Sequence, residues 1–296
     1  MSKLDLRRPR LAVAAGLLLA LAGAIAFSFA QRPSPTLHYA PNGNFSKDGH
    51  YLPGQAGFNL ADVNSPAQLE SLPDGVKGLV WIGQCGGADA KFVDAVKPYL
   101  GSKKLFGFFL MDDPDPRPIS GAALRAAYCP ASNMKAESDW IHDHAPRAKT
   151  FVVLMNLTSR LVPTFGETYA PANSHIDLFG IDPYPCRTEL GGCDVAMIER
   201  YVKAAEAAGI PRARMVPIYQ AFGGGDWKNE SGGQYTMPTA IQLREMLTSW
   251  HQLIAAPQFD FAYSWGSQRS DMALEDSRDL KEAFLSRNTT PLVNSQ

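Results

Sequence analysis

Seven short apolar runs constrain this chain more than any other feature. They are GFNLADV (57–63), GLVWIGQ (78–84), FGFFLM (106–111), TFVVLMN (150–156), IDLFGID (176–182), MVPIYQAF (215–222) and FDFAYSW (259–265). Each is continuous rather than alternating, which predicts strands covered on both faces, as in a parallel sheet. The stretches between them carry helical spacing. Asp194 reads as the N-cap of a helix bearing Ile198, Tyr201, Val202 and Ala205, which Gly209 and Pro211 stop. Leu243, Met246, Leu247, Trp250, Leu253 and Ile254 form an apolar stripe on another, and Leu274 to Leu285 predicts a terminal helix. Strand followed by helix, repeated, calls for a parallel α/β sheet. Neither a Gly-x-Gly-x-x-Gly turn nor a P-loop follows the first run, which weighs against an open nucleotide-binding sheet. Most runs end in polar or aromatic residues followed by Gly or Pro. That suits an α/β, (β/α)8-type TIM barrel with its chemistry at the C-terminal rim. An eighth strand must then lie in 36–52 or between 84 and 105, or the barrel is irregular.

The 296 residues divide unevenly. Lys3, Arg7, Arg8 and Arg10 precede an uncharged apolar stretch, Leu11 to Ala30, and Ser28-Phe29-Ala30 resembles a small-x-small cleavage site. Residues 1–30 thus read as a signal peptide or, uncleaved, as a membrane anchor, which places the protein in a secreted or periplasmic setting. Residues 31–55, rich in Pro, Gly, Asn and Ser, read as an entry segment, and 56–290 as one barrel domain. A net charge of −1 leaves no electrostatic footprint for nucleic acid. Membrane association falls to the N-terminal segment alone, and no oligomeric state follows from the sequence. The four cysteines suit an oxidising compartment. Cys186 and Cys193 bracket RTELGG and read as a disulfide staple, which leaves Cys85 with Cys129. Three connectivities are possible in principle.

In a barrel the strand ends share one mouth. Collected there are Asn59, Asp62, Trp81, Gln84, Asp112, Asp113, Asn156, Asp182, Tyr184, Tyr219, Gln220, Tyr263 and Trp265. Carboxylates, amides and aromatic faces together are what a sugar ligand requires: rings stack on the pyranose, and polar groups grip its hydroxyls. FGFFLMDDP resembles the GFYLADEP type of strand end in TIM-barrel glycoside-hydrolase-like proteins. IDLFGIDPYP, IYQAF and FAYSWG are similar to later strand ends of the same broad group, over roughly residues 56–270. The resemblance implies a general acid just before the proline, at Asp113 with Asp112 beside it, where Asp replaces the usual Glu. It also implies a second carboxylate late in the barrel, where this chain has Gln220; Asp182 is the remaining partner. Strand alternation puts Asp112 on one face with Leu110 and Phe108, and Asp113 on the other with Met111 and Phe109. Gly180, on the Asp182 face, would leave room for a ligand. Catalysis is therefore expected from Asp113, Asp182 and Asp112. Substrate contacts are expected from Asn59, Trp81, Gln84, Asn156, Tyr184, Tyr219, Gln220 and Trp265.

Each assignment has a plainer reading. Asp112 can cap a turn, Gln220 can be a satisfied buried amide, and Trp81 and Trp265 can be barrel packing. Asp112, Asp113 and Asp115 are the right chemistry for Ca²⁺ but lack EF-hand spacing. His142 and His144, two apart on a helix, diverge and read as a solvated face. No cofactor or metal is called for. GGGDWKNESGG (223–233) reads as a mobile loop over the mouth with Trp227 as a lid aromatic. The expectation is an exported glycoside-hydrolase-like protein acting on a poly- or oligosaccharide. The alternative is a non-catalytic carbohydrate-binding or cell-surface protein on the same scaffold, and a metal-dependent hydrolase is weakened by the lack of strand-end histidines.

Overall fold

The computed structural model describes residues 36–116, 128–154, 168–229 and 231–289. Eight parallel strands close into a barrel. They are β1 (Leu37–Tyr39), β2 (Leu60–Val63), β3 (Lys77–Trp81), β4 (Leu105–Asp112), β5 (Lys149–Leu154), β6 (Leu178–Ile181), β9 (Met215–Gln220) and β10 (Phe259–Tyr263). A small antiparallel arm, β7 (Cys186–Arg187) and β8 (Gly192–Cys193), lies between β6 and β9. Helices α1 (Pro66–Ser71), α2 (Ala90–Val96), α3 (Ala131–His144), α4 (Pro171–Ser174), α5 (Met197–Ala207), α6 (Ala240–Leu253) and α7 (Arg278–Thr289) occupy the crossovers. This is the TIM barrel that the run pattern predicts. All seven runs are strands. The eighth, β1, comes from the segment read as an entry, and at three residues it is too short to stand out as a run. It closes the barrel by pairing Leu37 with Phe259 and Tyr39 with Leu60.

Two apolar layers hold the fold. The outer one joins strands to helices through residues such as Phe108, Phe179, Ile198 and Trp250. The inner one fills the barrel with rings. Phe151 lies 4.7 Å from Phe109 and 4.9 Å from Phe259, and Tyr39 lies 4.8 Å from Phe261. Each such buried ring contributes about 1.5–3 kcal/mol, so the barrel is a packed core with its working space at the rim. Gly180 does face the axis. A Cβ there would meet Ile218, Val153 and Phe151 at 2.8, 2.8 and 2.9 Å, so the glycine makes room for its neighbours' side chains and not for a ligand.

β4 carries an irregularity that decides the site. Phe109 pairs with Phe151, Met111 with Val152 and Asp112 with Val153, and the register slips between Phe109 and Met111. Phe151 and Val153 belong to the inner layer, whereas Val152 belongs to the outer one along with Leu110 and Met111. One extra residue thus reverses the alternation, as bulges do. Asp112, which strict alternation puts with Phe108 and Leu110, turns inward beside Val153. Just upstream β4 presses on β5 so closely that a Cβ at Gly107 would sit 2.1 Å from the Lys149 carbonyl oxygen, which leaves glycine as the residue that fits.

Several polar anchors complete the scaffold. Arg287 of α7 reaches through the outer layer to the fully buried Asp260 and donates to the Tyr219 hydroxyl at 3.2 Å. Burial raises the Asp260 carboxyl, but Arg287 and His38 outweigh it and hold it below its usual range. Disulfides join Cys85 to Cys129 and Cys186 to Cys193. Asp194 does not cap α5, which begins at Met197; its carboxylate pairs with Arg200 instead. His142 meets Asp177 at 2.9 Å, while His144 stacks on Trp140 with ring centroids 3.9 Å apart, so the two imidazoles diverge. Among the described residues no helix is long and apolar enough to cross a membrane, and no cluster of His, Cys, Asp and Glu could hold a metal ion.

Candidate active site

Asp112 sits at the end of β4, inward-facing beside Val153 and exposed at its surface. The loss of surrounding water pushes its carboxyl up to about 6. Its charge is felt by the hydroxyls of Tyr39, Tyr184 and Tyr263, which come from β1, the β6–β7 connection and β10. Beside them, Asp62 at the end of β2 is raised by burial. Contacts from the Asn42 N–H (3.2 Å) and the Tyr39 hydroxyl draw it part of the way back.

Trp81 completes this side of the rim. It pairs in register with Phe109, meets that ring edge-on at 4.8 Å, and remains 39% exposed. A partly exposed indole at the end of a strand is chemically suited to stacking on a flat apolar surface. Gln84 follows on the same strand exit, with its backbone N–H on the Leu110 carbonyl at 3.2 Å.

The opposite side of the rim is roofed. Tyr184, Phe222, Trp227, Tyr235 and Tyr263 form one aromatic cluster, with Tyr184 and Phe222 perpendicular at 5.0 Å. Arg269 stacks over Trp227 at 4.9 Å. Asp182 is buried here at 3% exposure, and its charge bears on Tyr184 and Tyr263. The loop expected to be mobile is fastened. Gly225 N–H donates to Asp271 at 2.6 Å, Gly223 and Met272 exchange backbone bonds, and Asn229 donates to Glu189 at 2.8 Å.

Gln220 is the knot of that roof. Its Oε1 accepts from the Cys186 N–H at 2.8 Å. Its Nε2 donates to the carbonyls of Cys186 (3.0 Å), Phe222 (3.2 Å) and Thr236 (3.0 Å). The side chain is fully buried, and both its carbonyl and its NH2 group hold backbone together. The amide expected to meet substrate therefore ties the disulfide arm and the 222–236 loop to β9.

Three other expected contacts lie away from the mouth. Asn59 precedes β2, at the N-terminal pole, where its Oδ1 accepts from the His38 N–H at 2.8 Å. Tyr219 points outward to Phe284 and Arg287 of α7, because it alternates with the inward Ile218. Trp265, 1% exposed, is buried in the outer layer after the chain turns away from β10. Asn156 lies outside the described residues. Asp113 adopts the left-handed region (φ 48°) in the turn, and its N–H donates to the Val153 carbonyl at 3.1 Å. Its charge still reaches Tyr184. Of the mouth residues, Tyr263 was collected with the strand ends but given no substrate contact, and Tyr39 was not anticipated. Tyr263 had a signal, since Phe259, Phe261 and Tyr263 alternate along one face; Tyr39 had none, being on the three-residue strand.

No family model and no curated protein matches the sequence. Solved structures do match. A chitinase from Bacteroides thetaiotaomicron aligns with a TM-score of 0.52 at 9% identity, over 89% of this chain and 99% of that one. Active domain 2 of a thermostable chitinase from Pyrococcus furiosus, solved as catalytic-site mutants with chito-oligosaccharides, aligns with a TM-score of 0.51 at 10% identity, over 78% and 84%. The chain shares their barrel fold. At such identity the likeness is one of architecture, and the chemistry must be read from the mouth itself.

Proposed function

We propose that this chain is an exported carbohydrate-active protein that hydrolyses an O-glycosidic bond of a poly- or oligosaccharide, with Asp112 as the proton donor. The reading rests on the position of Asp112, exposed at the inward-facing end of β4 where its charge bears on Tyr39, Tyr184 and Tyr263, and on a carboxyl raised to about 6. A carboxyl in that range keeps its proton in mildly acidic medium and can give it up in the reaction. A sugar ring rests on Trp81 with Gln84 beside it. The Asp112 proton passes to the leaving oxygen as the bond to the anomeric carbon breaks. Asp182, next to Tyr184, stabilises the positive charge that develops on the ring, with Asp113 as an auxiliary carboxylate. Water then adds to the anomeric carbon and returns a proton to Asp112, and the cycle balances. Export is supported by the apolar segment within 1–30 and by the two disulfides.

The test is a hydrolysis screen over a polysaccharide panel that includes chito-oligosaccharides, repeated with Asp112→Asn. Undiminished cleavage by the variant of a substrate that the native protein cleaves removes Asp112 from the mechanism. One observation favours a second reading, that of a non-catalytic carbohydrate binder: Gln220, where related barrels offer a late carboxylate, is engaged with backbone. Binding of a panel sugar without turnover, in native protein and Asp112→Asn alike, would establish that reading.

A further inference from the structure

Outside the mouth one buried ionisable group has no part in the chemistry above. Glu137, on α3, is 0% exposed. Its Oε1 accepts from the Gly87 N–H at 3.0 Å, while its buried Oε2 has no hydrogen-bond partner. It is not alone in facing this segment. Asn133, one turn earlier on α3, donates to the Cys85 carbonyl at 2.8 Å, and Cys129, just ahead of α3, is disulfide-bonded to Cys85. Three fasteners, two on α3 and one just ahead of it, thus grip residues 85–87. That stretch continues directly from Trp81 and Gln84, the open wall of the mouth.

We infer that Glu137 is a positioning residue that works as a neutral carboxylic acid, holding the Gly87 backbone and through it the Trp81–Gly87 wall, and that ionising it loosens this wall. A buried carboxylate with one oxygen unpartnered would be an uncompensated charge, whereas the protonated form leaves a neutral O–H without a partner, which costs less to bury. Asp89, the N-cap of α2, is the ionisable group whose charge bears on Glu137; being negative, it opposes ionisation further. No cation among the described residues pairs with it. Burial accordingly pushes Glu137 up to about 8, and Asp89 adds to the rise while the Gly87 N–H opposes it. The effect on substrate rests on the glycosidase reading; the effect on the wall does not.

The experiment compares the full chain with Glu137→Gln, which keeps the shape and the acceptor oxygen but cannot ionise. In native protein the Gly87 amide resonance should titrate with a midpoint near 8, and in Glu137→Gln it should not. The folded state holds this proton up to about 8, and the unfolded chain releases it near 4.5. Native stability relative to the variant should therefore fall as pH rises between those values and level off above them. On any cleaved sugar, Glu137→Gln should extend activity to higher pH. A Gly87 amide with no titration between about pH 7 and 9, or coincident stability curves, overturns the proposal. The amide titration needs no substrate. Its presence in a protein that cleaves nothing would defeat the glycosidase reading and leave this one standing. If Glu137→Gln does not fold, the native Gly87 titration decides alone.

Discussion

The two halves of the rim use their polar groups in opposite ways. On the early side, β1 to β4, Asp112 is exposed at its surface and Trp81 shows 39% of its area to solvent. On the late side, Gln220 is fully buried and bonded to four backbone groups, and an aromatic cluster that includes Tyr184 and Tyr263 packs together. The contrast teaches how a barrel divides its labour. One sector keeps charged and aromatic groups open to a solute and accepts the electrostatic cost. The other uses the same chemistry to hold irregular backbone in place.

The comparison breaks most sharply at its two central residues. Asp112→Asn should lower hydrolysis by about 10²- to 10⁴-fold, the usual worth of a positioned proton donor. The same change should raise the melting temperature at pH 7, because it removes a carboxylate whose ionisation the fold opposes. Gln220→Leu should do the reverse. It strands one buried N–H and three carbonyls, costs about 3–5 kcal/mol, and lowers the melting temperature by about 10 °C or more in a thermal scan. Should the two variants shift stability in the same direction, the division of the rim is wrong.

Smaller effects sharpen the picture. Asp112 is raised, so its proton is lost as pH climbs through about 6. The rate of hydrolysis should fall across that pH while sugar binding changes little, which a paired rate and calorimetry series reads directly. Trp81→Ala should weaken binding of an oligosaccharide about tenfold, or about 1.4 kcal/mol, with the fold intact by circular dichroism. An equal loss from Trp265→Ala without unfolding would contradict the burial of Trp265.

Much of this molecule was legible in the chain. The seven runs became seven strands because each carries its own apolar signal over a handful of adjacent residues. The disulfide pairs followed from six residues between Cys186 and Cys193 and from what remained. The site was legible as a region and not as a set of side chains. FFLMDDP names two aspartates, and regular alternation assigns them the wrong faces; the bulge that reverses them depends on how β4 meets Lys149 and Val152 of β5. Gln220 reads equally well as a ligand contact or a brace, since its partners include Cys186, 34 positions away.

The sequence alone therefore determined the alternation of strand and helix, the barrel that follows from it, and the gathering of acids and aromatics at strand ends. Local periodicity is enough for that, because burial on both faces is written into consecutive residues. Only the tertiary structure decided which aspartate turns inward, which strand closes the barrel, and which amide is engaged. Those outcomes depend on register and on contacts between segments tens of residues apart, and no single stretch of chain contains them.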